Sequence, residues 1–134
     1  MDIERFKREH VALMRTVSEL RELVHAGVAT HADAIAHELV AMSAAVKLHL
    51  AAEDRMLYPA LAANQRTETI GRQFQAEMGG LAQAYGAFVS RWSRPAQIAG
   101  DPEGFREEAN GVFKTMHQRV QRENRELYPL AESL

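Results

Sequence analysis

Residues 49–59 read His49-Leu50-Ala51-Ala52-Glu53-Asp54-Arg55-Met56-Leu57-Tyr58-Pro59, and the pattern returns at residues 119–129 as Arg119-x-x-x-Glu123-x-x-x-Leu127-Tyr128-Pro129. A second pair of segments matches in the same way. Phe6-Lys7-Arg8-Glu9-His10-Val11-Ala12-Leu13 aligns with Phe74-Gln75-Ala76-Glu77-Met78-Gly79-Gly80-Leu81. The second half of the chain therefore repeats the first. Met78 stands where the first half has His10, and Arg119 stands where it has His49.

Four segments carry residues at alternating spacings of three and four, which predicts four amphipathic helices with one inward stripe each. The first stripe is Ile3, Phe6, His10, Leu13, Val17, Leu20 and Val24, and the second is Ile35, Leu39, Met42, Val46, His49, Glu53 and Met56. The third is Ile70, Phe74, Met78, Leu81, Tyr85, Phe88 and Trp92, and the fourth is Phe105, Ala109, Val112, Met116, Arg119, Glu123 and Leu127.

The ends of these helices carry recognisable signals. The first helix is predicted to end near Gly27, and Thr30 with Asp33 to cap the start of the second. Asp101 followed by Pro102 predicts the start of the fourth helix, because Asp is a favoured N-cap and Pro suits the first helical position. Pro59 and Pro129 are expected to kink or end their helices, since proline lacks a backbone donor.

Short connections between long helices favour an all-α, antiparallel up-down-up-down four-helix bundle. With 134 residues the chain is expected to form one domain over residues 1–134.

The composition narrows the classes of function. The chain has 16 basic and 18 acidic residues, a net charge of −2 and no run of like charge, so neither nucleic acid nor an anionic membrane is an expected partner. It has no cysteine, which excludes disulfides and thiolate metal sites. The N-terminus lacks a basic-then-apolar signal and no apolar stretch is expected to cross a bilayer, so the expected location is the cytoplasm.

Ionisable residues on the inward stripes point to a metal. His49 and Glu53 are four residues apart and reach one point beside their helix. Burying the carboxylates of Glu53 and Glu123 without compensation would cost several kcal/mol. A divalent cation held by His10, His49, Glu53 and Glu123 would meet that need, and imidazole with carboxylate suits iron, manganese or zinc. A salt bridge from Glu123 to Arg119 on the same helix is an alternative.

On Glu9-His10, on residues 49–59 and on Glu123-x-x-x-Leu127-Tyr128-Pro129, the chain resembles the hemerythrin-like family, the HHE cation-binding domains. The resemblance implies a four-helix bundle in which two histidines serve each of two irons and two carboxylates bridge them. His10, His49, Glu53 and Glu123 match the family's ligands. The second iron's histidines are replaced by Met78 and Arg119, and His117 is turned about 200° away from position 119.

These observations favour a binding or sensing module that holds one iron through His10, His49, Glu53 and Glu123 and binds a small ligand such as dioxygen or nitric oxide. An enzyme is less expected, because no nucleophile and base are paired. The alternative is a metal-free structural or regulatory bundle in which Arg119 replaces the lost metal and neutralises Glu53 and Glu123. A di-iron oxidase with unusual ligands is a third alternative. A homo-oligomer is compatible with all three.

Overall fold

The computed structural model describes residues 1–134, which form helices and no strands. The helices are α1 (Ile3–Gly27), α2 (Ala32–Ala62), α3 (Glu68–Trp92), the short α4 (Pro95–Gly100) and α5 (residues 102–132). Each long helix packs against the long helix before it, and α5 packs back against α1. The all-α class is confirmed, whereas α4 was not predicted. It begins at Pro95, in the connection between the third and fourth predicted helices.

Of the two predicted helix starts, the one at Asp101 is confirmed and the one at Thr30 is wrong. The Asp101 carboxylate accepts a hydrogen bond from the Gly104 N–H at 3.0 Å, as expected of the N-cap of α5. The predicted cap by Thr30 and Asp33 is wrong, because α2 begins at Ala32 and its N-cap residue His31 makes no side-chain capping bond. A turn of backbone hydrogen bonds leads into α2 instead, with the His31 N–H donating to Gly27 O at 3.1 Å.

The prolines do not end α2 and α5. Each lies just after a π-helical turn, at Glu53–Leu57 in α2 and at Glu123–Leu127 in α5. In these turns the Tyr58 N–H donates to Glu53 O and the Tyr128 N–H donates to Glu123 O, five residues back. The longer hydrogen bond changes which carbonyl each following N–H would meet, directly before a proline, which has no N–H to donate. The helix therefore continues past the proline for one more turn.

The core consists of two apolar clusters. The larger one includes Leu13, Leu39, Phe88, Phe113 and Met116, and the smaller one includes Phe6, Leu57, Leu61, Phe74 and Tyr128. The first stripe is confirmed in full, since all seven of its residues are buried. On α3, however, Ile70 is exposed, and on α5 Phe113 is more deeply buried than the predicted Val112.

His10, His49 and Glu123 lie in sequence between members of the two clusters on their respective helices. The inward polar groups therefore interrupt an otherwise continuous apolar core.

One helix, Ala32–Ala62, is long and apolar enough to cross a membrane by length and composition. A segment of this length and composition was not expected from the sequence. Core helices of soluble proteins have the same length and composition. Within this fold α2 contributes Ile35, Leu39 and Met42 to the larger cluster.

The close approach of α2 and α3 at Gly71 generates a stability prediction. A Cβ at residue 71 would lie 2.9 Å from the Leu61 Cβ. Gly71→Ala is expected to lower the free energy of unfolding by about 1–3 kcal/mol. The Leu61 Cβ is attached directly to the backbone of α2, so it cannot move away from the new methyl group unless the helix moves. Gly86→Ala, on the same helix as Gly71 with open space around it, is expected to raise the free energy of unfolding by about 0.5–1 kcal/mol. Urea unfolding of both variants measures the difference, and equal effects would contradict this packing account.

Candidate metal centre

The structure brings together all four predicted ligands. His10 comes from α1, His49 and Glu53 come from α2, and Glu123 comes from α5. One potential ligand atom from each lies within 4.8 Å of the others, and all four side chains are buried. Glu53 and Glu123 are the first residues of the two π-helical turns. The four residues form a compact set of two imidazoles and two carboxylates, referred to below as the centre.

Two outer residues orient the histidines. The Nδ1 atom of His49 lies 2.7 Å from Glu9 Oε1, and the Nδ1 atom of His10 lies 2.8 Å from Asn124 Oδ1. Both partner atoms are acceptors, so each Nδ1 donates its proton outward and each Nε2 points into the centre. This arrangement is typical of metal-ligating histidines. The sequence interpretation gave neither Glu9 nor Asn124 a role, although each directly precedes or follows a ligand.

The carboxylates have more acceptor capacity than the protein fills. Oε1 of Glu53 and both carboxylate oxygens of Glu123 are buried and form no hydrogen bond. The Nε2 atoms come near, at 3.1 Å from Glu123 Oε1 for His10 and 3.3 Å from Glu53 Oε1 for His49. Neither contact has the geometry of a hydrogen bond. Buried carboxylate oxygens without donors are costly, and a cation among these atoms would satisfy them, so the residues fit a metal ion.

Tyr128 is part of the centre and was missed as a site residue. Its hydroxyl donates to Glu53 Oε2 at 2.7 Å and lies 3.0 Å from the His10 Nε2. Its ring stacks against His10 with centroids 5.1 Å apart. The repeat of Leu-Tyr-Pro was the available signal. It was read as a fold motif, because an α-helical stripe extended from Glu123 leads to Leu127.

Burial and mutual charge set the protonation of the centre without a cation. Burial lowers the pKa of His49, but its contact with Glu53 and its hydrogen bond with Glu9 prevail and raise that pKa to about 9. Burial raises the pKa of Glu53, but the same contact with His49 outweighs it and lowers that pKa overall. For Glu123, burial prevails over the contact with His10, and the charge of Glu53 adds to it, which raises the pKa to about 7.

Burial also raises the pKa of Tyr128, with the charges of Glu123 and Glu53 adding to the effect, so its hydroxyl remains a donor. A cation that binds at Nε2 of His49 would release the proton that this nitrogen otherwise carries.

Arg119 does not take the place of a metal. It forms an ion pair with Glu77 of α3, as does Arg122, and makes no ion pair with Glu53 or Glu123. The proposed neutralisation of both carboxylates by Arg119 is therefore wrong, as is the alternative salt bridge from Arg119 to Glu123. The position of Glu77, which aligns with Glu9, explains the outcome, since an exposed carboxylate partner is available on the neighbouring helix.

Tyr58 occupies the position in the first repeat that Tyr128 occupies in the second. Its hydroxyl is buried and forms no hydrogen bond. The Tyr128 hydroxyl meets two histidines and a carboxylate of the first half, whereas the corresponding positions opposite Tyr58 hold Met78 and Arg119. The carboxylate equivalent to Glu53, that of Glu123, is retained but accepts no hydrogen bond from Tyr58.

A small apolar cavity adjoins the centre. Its volume is about 30 Å³, which is enough for a molecule of one or two heavy atoms. His10, His49 and Glu123 form one wall of this cavity, and Met78 and Arg119 also line it. Its other residues are mainly apolar: Leu13, Val46, Leu50, Leu81, Ala82, Tyr85, Met116 and Val120. The cavity is therefore lined both by His10 and His49 of the first half and by Met78 and Arg119 at the equivalent positions of the second half.

Comparison with known families assigns the chain. The family model for the hemerythrin HHE cation binding domain matches residues 1–131. The chain belongs to the hemerythrin HHE cation-binding family. The resemblance predicted from the sequence is thereby confirmed. Searches of curated proteins and of solved structures return no significant match. In this hemerythrin-like domain, the cluster of His10, His49, Glu53 and Glu123 is able to hold a metal ion.

The two repeated tyrosines provide a matched pair of variants. Tyr128→Phe removes the donor to Glu53 Oε2 and leaves a buried carboxylate oxygen unsatisfied. In metal-free protein it is expected to lower the free energy of unfolding by roughly 1–3 kcal/mol. Tyr58→Phe removes a hydroxyl without a partner and is expected to leave stability unchanged or slightly increased. The measurement is urea unfolding in the presence of chelator, and equal losses for the two variants would refute the assigned hydrogen bond.

Proposed function

We propose that this hemerythrin-like domain holds one iron ion through His10, His49, Glu53 and Glu123 and binds a small diatomic ligand there, such as dioxygen or nitric oxide. One observation carries the proposal. Three buried carboxylate oxygens without donors face two imidazole nitrogens whose opposite ring atoms are fixed by Glu9 and Asn124. A cation is the partner that satisfies all of these atoms together.

The donor set supports iron and remains compatible with manganese or zinc. Two imidazole nitrogens and two carboxylate groups suit all three metals, and the chain has no cysteine to favour a softer site. The resemblance to the hemerythrin-like family implies iron. We propose a single ion, because Met78 and Arg119 replace the histidines that the family uses for a second one.

The surroundings of the centre support the binding of a small ligand. An iron ion held there would supply reversible binding of dioxygen or nitric oxide. The chain's own residues do the rest: Leu13, Val46 and Leu81 keep the adjoining cavity apolar, and its volume of about 30 Å³ admits only a small molecule. The Tyr128 hydroxyl, 3.0 Å from the His10 Nε2, donates to Glu53 Oε2 and so holds that carboxylate in position.

Carriage or sensing accounts for these groups better than catalysis. Every buried ionisable group of the centre belongs to the ligand set or orients it, and none is left as a separate acid or base.

We further propose that the long helices alternate in direction as an up-down-up-down bundle, and that the protein acts in the cytoplasm without nucleic acid as a partner.

The metal content of the protein tests the proposal. Protein expressed with ample iron and manganese is expected to contain about one iron per chain by elemental analysis, with a visible spectrum that changes on admission of air or nitric oxide. His49→Ala is expected to lose the metal, because it removes a ligand nitrogen. His37→Ala, an exposed histidine on the same helix, is expected to retain it.

Near-zero metal in the wild type would overturn the proposal and favour a metal-free bundle. Near two metals per chain would overturn the account given for Met78 and Arg119. A manganese content that exceeds iron under equal supply would contradict the choice of metal.

A second prediction concerns the altered half of the repeat. Arg119→His places an imidazole at the position equivalent to His49, beside the cavity that Arg119 already lines. The variant is expected to bind more than one metal per chain when iron is supplied in excess. Arg122→His also removes an ion pair with Glu77 but does not line the cavity, so it is expected to stay near one. Unchanged uptake by Arg119→His would show that the second half no longer has the geometry of a metal site.

A further inference from the structure

A cleft separate from the metal centre opens between α1 and α5. It has a volume of about 240 Å³ and is lined by Arg21, Val24, His25, Arg106, Asn110 and Phe113. Four of these six residues carry nitrogen donors. Arg21 and His25 are four residues apart on α1, and Arg106 and Asn110 are four residues apart on α5, so each helix directs a pair of donors to the same cleft. The cleft thus has donors on both walls.

The charge of the cleft is unbalanced. No carboxylate lines it, although the chain as a whole carries a net charge of −2. Arg21 forms no ion pair, and Arg106 has only a 3.7 Å contact with the exposed Glu103. Arg119 and Arg122, further along α5, are by contrast both paired with Glu77. The arginines of the cleft are therefore available to an external anion.

The lack of carboxylates continues along the seam between α1 and α5. An adjoining groove shares Arg21 and is lined by Met14, Val17, Ser18, His117 and Gln121. Ser18, His117 and Gln121 add polar groups, and none of the lining residues is acidic. Four acidic residues of the same helices line neither opening: Glu19, Glu22, Glu107 and Glu108.

The exposed Arg21 side chain lies over an aromatic ring of the core. Its guanidinium carbon lies 5.9 Å from the centroid of the Phe113 ring, and Phe113 is almost completely buried. A cation over an aromatic face is attracted to the ring, which restricts the long arginine side chain before any ligand arrives. Such preorganisation reduces the entropy that a ligand would otherwise have to offset.

We propose that this cleft binds a small, soluble anion with a phosphate group. The planar guanidinium forks of Arg21 and Arg106 match the tetrahedral oxygens of phosphate, and the Asn110 amide and the His25 ring supply further donors. The cleft volume of about 240 Å³ is below the roughly 300–1,000 Å³ of pockets for drug-sized ligands, which favours a small phosphate compound.

The site is distinct from the metal centre. Arg21 follows His10 by eleven residues on α1, which places it roughly 16 Å further along the helix axis. The two sites have no residue in common. Occupation of the cleft is therefore testable in metal-free and metal-loaded protein alike.

The experiment is a titration of the full chain with inorganic phosphate at constant ionic strength, followed by calorimetry and by NMR shifts of the His25 and Asn110 side chains. One saturable site is expected. Arg21→Gln and Arg106→Gln are each expected to weaken binding about ten-fold, because each loses a charge-assisted contact. Arg15→Gln makes the same charge change on an exposed part of α1 outside the cleft and is expected to change the affinity less than two-fold.

Arg106→Gln keeps the test decisive if Arg21→Gln disturbs the packing on Phe113. The absence of saturable binding would overturn the proposal, as would an equal loss in Arg15→Gln, which would indicate nonspecific attraction. Binding to vesicles that contain phosphatidic acid, without binding of inorganic phosphate, would also overturn it in favour of a lipid headgroup.

Discussion

The burial of Glu53 and Glu123 is the constraint on which the rest of the centre depends. Two carboxylates side by side in an apolar core cost several kcal/mol each unless positive charge or donors compensate them. The protein supplies one hydroxyl from Tyr128 and two imidazoles, which leaves three carboxylate oxygens without a hydrogen bond. Without a cation, the raised pKa of His49 keeps its imidazole protonated, and this positive charge partly balances the negative charge of the carboxylates. The hydrogen bonds with Glu9 and Asn124 orient the histidine rings toward the carboxylates, and the same orientation suits the binding of a metal ion.

The π-helical turns connect this constraint to the fold. In each turn one extra residue enters the helical repeat, so the inward face shifts by one position. Leu57 and Tyr58 are both buried at the end of the first turn, and Leu127 and Tyr128 are both buried at the end of the second. The turn in α5 thereby directs the Tyr128 hydroxyl at Glu53. The same register change accommodates Pro59 and Pro129. In the sequence these prolines suggest the end of a helix, whereas in the structure they follow the π-helical turns that help to form the site.

The sequence predicted the helices and the clustering of His10, His49, Glu53 and Glu123 because both follow from a regular period of three and four. His10, His49, Glu53 and Glu123 all lie on stripes that the structure buries. Prediction from the sequence failed where the helical period changes and where the partner of a side chain is distant in sequence. Tyr128 was missed since the π-turn is not visible in an α-helical pattern. The fate of Arg119 was missed since Glu77, its partner, lies 42 residues away on another helix, and residue spacing favoured the nearer Glu123. Ile70 and Val112 show that a stripe is least reliable beside a helix end or a bulky neighbour.

The repeat has diverged unequally, and the structure shows where its charge now resides. Glu123 comes from the second half, yet neither Arg119 nor Tyr58 satisfies it: the arginine is held by Glu77 and the tyrosine hydroxyl has no partner. The contact recorded for the Glu123 carboxylate is with His10, whose Nε2 lies 3.1 Å from Oε1. Glu123 therefore depends on the first half of the repeat for any compensation that the protein itself provides. A carboxylate retained in this setting, when an apolar residue would avoid its desolvation, is best explained by a cation shared with His10, His49 and Glu53.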